Sequence, residues 1–572
     1  MRRPHPSSIG APPGVRIRSG CAAGLATRHR ACQIGSPTDC RKGLALNVRI
    51  RRLTAPPIPP AASRRRVAGS ALAVAALVTP LLLVGTGSAS ADPDPGRKGA
   101  KLAARLVEES SADDAYGTLR ALQRIADRNG GNRVAGERGH DESAAYVYEQ
   151  ARRAGLKVSK QEFEYTYFKA LSERLGVVSP QAEDVPVKAM TYSVGGPAAG
   201  LTADLAVVPV DATTGCEAGD YAAGAFTGKV ALIRRGGCSF AMKQAAAADA
   251  GAVGAIVYNN TEGNLNGTLG DPAVGRVPTG GIAKAAGEAL AARAAAGPVT
   301  VSLDIRTFME KRKTWNVLAE TRGGDENNTV VVGSHLDSVE DGPGINDNGS
   351  GSAGILEVAR NLAKKPVKNK VRFAWWSAEE FGLKGSEAYV KALPDTEKQK
   401  IKLYLNFDMI ASPNSAQFVY DGDDSDHVGS GPGPDGSAQL ERHITDYLDG
   451  RGLPHEGTDF TGRSDYGPFI DAGIPSGGTD TGAEVIKSAA QAARYGGTAG
   501  VAFDKCYHQA CDNLGNLDMK AFDTNIDVIA DSVGTYAWDL SSVHAPVPPQ
   551  HTDGQAGSGG GLQEGHAHEV EA

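Results

Sequence analysis

The amino-acid sequence predicts an α/β protein in which helices flank a mainly parallel mixed sheet, with a smaller domain inserted into it. The segments "TVVVGSH", "KVRFAWWSAEE" and "KLYLNFDMI" are apolar runs that predict buried strands. Between the first two, "SGSAGILEVARNLAK" carries four apolar residues at the spacing of one helix face: Ile355, Leu356, Ala359 and Leu362. Strand–helix–strand order implies a right-handed crossover and parallel pairing.

Length and composition set the outer bounds of the prediction. A chain of 572 residues is too long for one ordinary core, so two or more domains are expected. Hydrophobic residues at 41% and charged residues at 22% are typical of a soluble globular protein. The formal net charge of −6 is small, and no basic patch is interleaved with aromatic residues. Nucleic acid is therefore not an expected partner.

The first segment, residues 1–91, is predicted to be a leader that ends in a secretory signal peptide. Its part "SRRRVAGSALAVAALVTPLLLVGTGSASA" has a positive start, a long apolar stretch and small residues up to Ala91, where cleavage is expected. A retained membrane anchor is the alternative, but Pro80 and the Ala-x-Ala ending favour removal. We therefore expect a secreted protein that has no membrane attachment once the signal is cleaved.

Four segments follow the leader. Residues 92–185 carry two helical patterns and then a strand, and form the first part of the main domain. Residues 186–305, called the insert below, change to short Val-rich strands, Ala-rich helices and many glycines. Residues 306–545 alternate strands and helices and form the rest of the main domain. Residues 546–572 are polar, lack large apolar side chains and are predicted to be disordered.

The mature chain keeps four cysteines, and their number agrees with export. An even number of cysteines in an exported protein predicts disulfides rather than free thiols. Proximity in the sequence pairs them as Cys216–Cys238 and Cys506–Cys511. Four reduced, buried thiols are the alternative, which an oxidising environment disfavours.

Histidine and carboxylate residues lie where the predicted strands end. His335, the pair Glu379–Glu380 and Asp408 fall at or near the carboxyl ends of three strands, where α/β sheets bind ligands. Asp347 follows in a glycine-rich turn, from which it can reach between two metal ions. Imidazole and carboxylate suit an open zinc site, and a pair of ions needs a bridging carboxylate. The alternative for Glu379–Glu380 alone is two surface acids at a turn.

A pair of metal ions needs a second histidine ligand, and His508 is the best candidate among the histidines of the mature chain. It lies in "FDKCYHQACDNLG", where the predicted disulfide would hold its loop rigid. Asp337, two residues after His335, is placed to orient that imidazole. Glu379 remains as a free carboxylate beside the ions, where it can act as general base on a water molecule.

Six motifs in order resemble the secreted two-zinc aminopeptidases, especially the leucine aminopeptidases of actinomycetes (aminopeptidase Y-like): "SHLDS", "GINDNGSGS", "FAWWSAEEFGLKGS", "YLNFDMI", "GRSDYGPF" and "FDKCYHQACD". The resemblance implies the zinc-exopeptidase fold, a monomer, and substrates that are peptides or proteins with free N-termini. It also implies a set of metal ligands: His335 and Asp408 for one zinc, Glu380 and His508 for the other, and Asp347 for both.

The resemblance assigns further roles. Glu379 would be the general base, and Tyr507 would hydrogen-bond the tetrahedral oxyanion. Glu379, Asp408 and the backbone carbonyl of Arg463 would hold the α-amine of the substrate. The insert is similar to the protease-associated domain, in which Cys216 and Cys238 could be bridged. It could act as a lid or docking surface near the site, or serve only as a spacer.

Two features depart from the pattern of close relatives or match it only in part. In "SGGTDTGAEV", Thr479-Asp480 replace apolar residues of the side-chain pocket, so Asp480 could favour lysine or arginine, or could point into solvent. Asp523 and Asp527 match positions that bind calcium in close relatives. Carboxylates four residues apart on a helix are also typical of an exposed face, so both interpretations stay open.

Two other functions remain alternatives at this stage. One is a non-catalytic binding protein on the same scaffold, as the transferrin receptor is, although such proteins typically lose metal ligands and this chain keeps all five. The other is a two-zinc carboxypeptidase of related fold, which needs a basic side chain to hold a C-terminal carboxylate. Arg463 is a candidate for that role.

Overall fold

The computed structural model describes residues 94–427 and 431–546. The predicted signal peptide with its cleavage site at Ala91 lies outside the described residues, as does all but the first residue of the predicted tail. Among the described residues, none of the helices combines the length and the hydrophobicity of a membrane-spanning segment.

Helices occupy the start of the described chain and alternate with strands after it. Some helices are capped by the residue that precedes them: the Ser111 side chain accepts the backbone N–H of Asp114 at the start of the second helix. The helices are α1 (Pro95–Glu109), α2 (Ala112–Arg128), α3 (Arg138–Ala154), α4 (Phe240–Asp249), α5 (Lys284–Ala296), α6 (Gly351–Leu362), α7 (Lys384–Ala392), α8 (Asp395–Lys398), α9 (Ser437–Asp449), α10 (Gly467–Asp471), α11 (Ala489–Tyr495) and α12 (Met519–Tyr536).

The strands form one continuous mixed sheet. They are β1 (Lys157–Ser179), β2 (Glu183–Val185), β3 (Lys188–Ala189), β4 (Leu201–Val207), β5 (Val230–Arg234), β6 (Gly254–Tyr258), β7 (Thr279–Ile282), β8 (Thr300–Glu320), β9 (Asp325–His335), β10 (Asn369–Trp376), β11 (Ile401–Phe407), β12 (Phe418–Tyr420), β13 (Glu456–Thr458) and β14 (Ser476–Asp480). The order of the main part is β13-β12-β14-β11-β9-β10-β8.

The predicted fold class is confirmed. The central strands β14, β11, β9 and β10 are parallel to one another, whereas β12 pairs antiparallel with β14 and β8 pairs antiparallel with β10. Helix α6 connects β9 to β10, and its four predicted inward residues are fully buried. Helices α2, α6 and α12 pack together beside this sheet, so apolar side chains from both halves of the main domain share one core.

A long antiparallel ribbon leads from the main sheet into the insert. Strand β1 pairs with β8 from Lys157 opposite Glu320 to Ser179 opposite Thr300. One end of β8 pairs with β10 of the main sheet and the other end with β4 of the insert. The insert continues with β5, β6 and β7 in parallel. A disulfide between Cys216 and Cys238 joins the segment before β5 to the segment after it. It has apolar cores of its own.

Two helical glycines differ in the space around them, and this difference predicts opposite effects of one substitution. A Cβ at Gly287 in α5 would lie 2.1 Å from Tyr258 Cβ, whereas one at Gly117 in α2 would meet nothing within 4 Å. We expect Gly117→Ala to raise the free energy of unfolding by about 0.5–1 kcal/mol, because alanine restricts the unfolded chain. Gly287→Ala is expected to lower it by about 1–3 kcal/mol through overpacking.

Thermal and urea unfolding of the two variants measures this contrast. The insert has cores separate from that of the main domain, so it can unfold by itself. Its unfolding is therefore followed by the rate of tryptic cleavage within the insert as well as by circular dichroism. Equal effects of the two substitutions would contradict the packing of α5 on β6.

Candidate metal centre

The carboxyl ends of three parallel strands bring the predicted polar residues to one edge of the sheet. His335 is the last residue of β9, and its register partner Trp376 is the last residue of β10. Asp408 directly follows β11, which lies on the other side of β9. Because β11, β9 and β10 are adjacent and parallel, the residues that follow them converge.

A sharp turn carries the acidic pair from β10 back toward this edge. Ala378 has a φ of 59°, in the left-handed region, and is completely buried. The chain therefore reverses immediately before Glu379 and Glu380. The next residue, Phe381, packs against Tyr165 and Tyr167 of the ribbon at ring distances of 5.4 and 5.3 Å. The ribbon thus supports the turn that presents both acids.

Around His335 the structure assembles a first ligand group. Its Nε2 lies 3.3 Å from Asp408 Oδ1 and 3.2 Å from Asp347 Oδ1. Glu379 Oε2 is more distant, at 3.9 Å. The Ser464 hydroxyl donates to the other oxygen of Asp408 at 2.6 Å, which leaves Asp408 Oδ1 directed at the histidine.

His508 forms a second ligand group with the other oxygen of the same aspartate. Its Nε2 lies 3.2 Å from Asp347 Oδ2 and 3.0 Å from Glu380 Oε2. Asp347 therefore directs one carboxylate oxygen to each histidine and lies between the two groups. The His508 side chain is 40% exposed, so the centre opens to solvent on this side.

Unpaired buried atoms indicate that the centre is built for a cation. Six polar atoms at this edge are buried without a hydrogen-bond partner among the described residues: His335 Nδ1, Asp337 Oδ2, Glu380 Oε1, Asp408 Oδ1 and both carboxylate oxygens of Asp465. Such atoms are rare in native proteins. The potential ligand atoms of His335, Asp347 and Glu380 lie within 4.8 Å of one another. Two imidazoles with carboxylates are a donor set that fits zinc.

The charges of the centre reinforce this interpretation. Burial raises the pKa of Glu379 well above its ordinary value; His335 opposes this rise, and Asp408 adds to it. Burial acts to raise the pKa of Asp347, but its hydrogen bonds with both histidines outweigh burial. The pKa of Asp347 therefore lies below its ordinary value, and the carboxylate is ionised. Burial lowers the pKa of His335 and His508, and the surrounding carboxylates raise it more. Carboxylates are therefore crowded at this edge, and a cation bound among them would offset their mutual repulsion.

Asp347 is held by its backbone, and the residue that holds it was missed by the sequence analysis. The Asp512 carboxylate accepts the backbone N–H groups of Asn346 at 2.8 Å and Asp347 at 3.0 Å. Asp512 directly follows the disulfide Cys506–Cys511, whose loop carries His508. Its position next to that cysteine was the available signal. One segment thus supplies His508 and fixes the loop of Asp347.

Asp337 connects the loops that follow β9 and β10. Its Oδ1 accepts the backbone N–H of Glu379 at 3.2 Å and lies 3.7 Å from His335 Nδ1, beyond hydrogen-bond distance. Another buried carboxylate, Asp465, lies near the same edge, and burial raises its pKa to about 7. The sequence analysis gave Asp465 no role, although this residue lies within the motif "GRSDYGPF".

The residues predicted to contact the substrate make hydrogen bonds, an ion pair and a ring contact near the candidate metal centre. The Arg463 guanidinium donates to the Tyr507 hydroxyl at 3.2 Å and pairs with Glu484 at 3.1 Å. The Tyr507 ring stacks on the ring of His508 at 3.8 Å. Asp480 ends β14, is half-buried, and accepts the backbone N–H of Gly482 at 2.8 Å.

The predicted calcium residues both lie on α12. The Asp523 carboxylate accepts the backbone N–H of Ala112 at 2.9 Å, at the start of α2. Burial and the nearby Asp523 raise the pKa of Asp527 to about 6. Among the described residues, neither belongs to a group of three or more metal-type side chains close enough to share an ion. Calcium binding therefore stays a prediction without structural support.

Comparison with known proteins places these features in a family. Residues 316–533 match Peptidase family M28, and residues 201–290 match the PA domain. Leucine aminopeptidase 2 of Trichophyton equinum is 47% identical over 410 residues, which cover 72% of this chain and 80% of that protein. The probable leucine aminopeptidase 2 of Aspergillus oryzae is 49% identical over 416 residues, covering 72% and 81%.

Solved structures agree with the sequence matches. The aminopeptidase from Aneurinibacillus sp. strain AM-1 superimposes with a TM-score of 0.61 at 29% identity, covering 76% of this chain and 95% of that one. The zinc aminopeptidase BSAP from Bacillus subtilis gives a TM-score of 0.53 at 26% identity, covering 74% and 94%. The predicted family and its inserted module are confirmed: the chain belongs to peptidase family M28 and carries a PA domain within the insert.

Proposed function

We propose that the protein is a secreted zinc aminopeptidase that removes N-terminal residues from peptides and proteins with a pair of zinc ions. The observation that carries this proposal is the position of Asp347, whose two oxygens lie 3.2 Å from His335 and 3.2 Å from His508. A carboxylate shared in this way is what a pair of ions requires. The names of the relatives, leucine aminopeptidase 2 and zinc aminopeptidase, support the reaction and the metal.

The ligands divide between two ions by proximity. His335 and Asp408 would hold one zinc, Glu380 and His508 the other, and Asp347 both. When bound, zinc would polarise the scissile carbonyl and lower the pKa of the attacking water.

Glu379 is the proposed general base and acid. It lies next to the first ligand group without the short contacts of Asp347 and Asp408, so its carboxylate is free to exchange a proton. Burial raises its pKa, which suits a group that takes a proton from water and then passes it to the leaving amine. The neighbouring Glu380 instead faces His508, so the two adjacent acids have separate roles.

Tyr507 is the proposed donor to the oxyanion. Burial raises the pKa of its phenol well above the ordinary value, so the hydroxyl keeps its proton. The Arg463 guanidinium donates to the same oxygen, which leaves the phenolic proton free for the substrate. A fixed donor aimed at the developing negative charge accelerates acyl transfer.

Recognition of a free N-terminus would come from groups on the same edge. Glu379 and Asp408 supply negative charge, and the backbone carbonyl of Arg463 supplies a further acceptor for the substrate's α-amine. This requirement distinguishes an aminopeptidase from a carboxypeptidase. The carboxypeptidase alternative needs a free cation, but the Arg463 guanidinium is paired with Glu484 at 3.1 Å.

Two disulfides support secretion, since such bonds persist in oxidising compartments.

Replacing the proposed base tests its role. Glu379→Gln removes the proton acceptor but keeps the size of the side chain, so kcat should fall by about 10²- to 10⁴-fold. Elemental analysis of the zinc-saturated variant should still give two ions per chain. Glu397→Gln, at a solvent-facing position on α8, is the matched control and should keep full activity. A Glu379→Gln variant with unchanged kcat would falsify the assignment.

Blocking the substrate amine tests the direction of cleavage. A leucyl peptide should be hydrolysed from its N-terminus, and its N-acetylated form should lose nearly all of that rate, because the acetyl group removes the charge of the amine. Mass spectrometry of the products identifies the released residue. Release of the C-terminal residue from both peptides would support the carboxypeptidase instead.

The identity of the preferred N-terminal residue depends on Asp480. Burial raises the pKa of Asp480 to about 7, so its negative charge grows from about pH 6 to about pH 8. If Asp480 lines the side-chain pocket, the ratio of lysyl to leucyl p-nitroanilide kcat/KM should rise over this range. In Asp480→Asn the ratio should be lower and independent of pH. A strong leucine preference that is the same in both proteins would show that Asp480 does not contact the substrate.

A further inference from the structure

Arg133 is a buried cation that has no role in the proposed mechanism. It lies in the turn between α2 and α3, and its side chain is completely buried. Buried arginines normally pair with a carboxylate. Among residues 94–427 and 431–546, no carboxylate lies within ion-pair distance of this guanidinium. Its charge is nevertheless retained at neutral pH, because burial lowers its pKa only to about 10.

The guanidinium donates instead to backbone carbonyls of a single loop. Its Nε donates to Pro343 O at 2.8 Å, its Nη2 to Gly344 O at 2.5 Å, and its Nη1 to Leu336 O. The backbone of Arg133 is also tied to the loop, since its N–H donates to Ser338 Oγ at 2.8 Å. A planar guanidinium fixes the relative positions of the acceptors that it joins.

The loop held in this way joins two of the proposed metal ligands. Leu336 directly follows His335, and Gly344 lies three residues before Asp347. Gly344 has a φ of 61°, and a Cβ there would lie 2.3 Å from Asp347 O, so the chain turns tightly at this point. The contacts of Arg133 therefore clamp the beginning and the end of the loop, whose closure sets the distance between the two ligands.

We propose that Arg133 is a positioning residue of the metal centre, which holds the loop between His335 and Asp347 in the shape that binds the cations. This inference rests on the proposed function. Arg133 acts through backbone carbonyls and contacts neither substrate nor metal. Residues that orient ligands in this indirect way typically change metal affinity by about 10- to 100-fold when they are replaced.

Arg133→Lys tests the proposal because it keeps the positive charge but loses the planar fork. We expect zinc affinity, measured by competition with a chromophoric chelator, to fall about 10- to 100-fold. The absorption bands of the cobalt-substituted protein should shift, since ligand geometry changes. Under saturating zinc, kcat should fall while KM stays close to that of the wild type. In the metal-free protein, backbone amides of residues 336–346 should exchange with solvent faster.

Two further variants separate positioning from a general loss of stability. Ser338→Ala removes the acceptor of the Arg133 N–H and should lower zinc affinity a few-fold in a folded protein. Lys243→Met is the matched control: Lys243 is also fully buried and donates to carbonyls, those of Thr214 at 2.6 Å and Gly236 at 2.5 Å, but it lies in the insert. It should leave zinc affinity and the cobalt spectrum unchanged.

Each outcome bears on the proposal. Wild-type affinity, spectrum and loop exchange in Arg133→Lys and Ser338→Ala would overturn it, and so would an equal loss of affinity in Lys243→Met. A wild-type protein that binds no zinc at all would overturn the proposed function, and this inference with it. The two failures are distinguished by the behaviour of the wild type.

Discussion

The gathering of buried carboxylates around Asp347 is the constraint on which the rest of this structure depends. Asp337, Asp347, Glu380, Asp465 and Asp512 are each largely removed from water near the same edge of the sheet. Burying ionised groups without partners costs several kcal/mol each, even after relaxation. Positive charge must offset that cost, and among the described residues the two histidines and the Arg133 guanidinium are close enough to do so.

This cluster of carboxylates needs rigid support, because like charges repel one another and move apart unless the loops that carry them are held in place. The supports come from three parts of the chain. The turn before α3 holds the loop after His335, the disulfide segment holds the backbone of Asp347, and the ribbon packs on Phe381 beside the acidic pair. The ribbon also bonds to that first loop, through Tyr167 and Lys169 to Glu340. Strands that enter the insert therefore contact a loop of the candidate metal centre directly.

Local patterns were sufficient to predict the fold class and the main candidates of the site. Apolar runs identified β9, β10 and β11, and residues at their carboxyl ends had to meet once the strands were parallel. Supporting residues could not be found in this way. Arg133 acts on a carbonyl 210 residues further along the chain, and Asp512 acts on a backbone N–H 165 residues before it. Arg133 has no periodic or spaced signal, and the only signal for Asp512 was its place after Cys511, because a bond from a side chain to a distant backbone leaves no local pattern.

By itself the sequence determined which chemical groups stand at the ends of strands, which cysteines are close enough to pair, and that a separate module interrupts the main domain. These properties depend on side-chain alternation and spacing, which act over a few residues. Only the tertiary structure decided that Asp347 offers one oxygen to each histidine, that Asp523 is engaged at the start of α2, and that Arg463 is paired with Glu484. Such contacts arise when distant segments pack together, and packing depends on the whole chain.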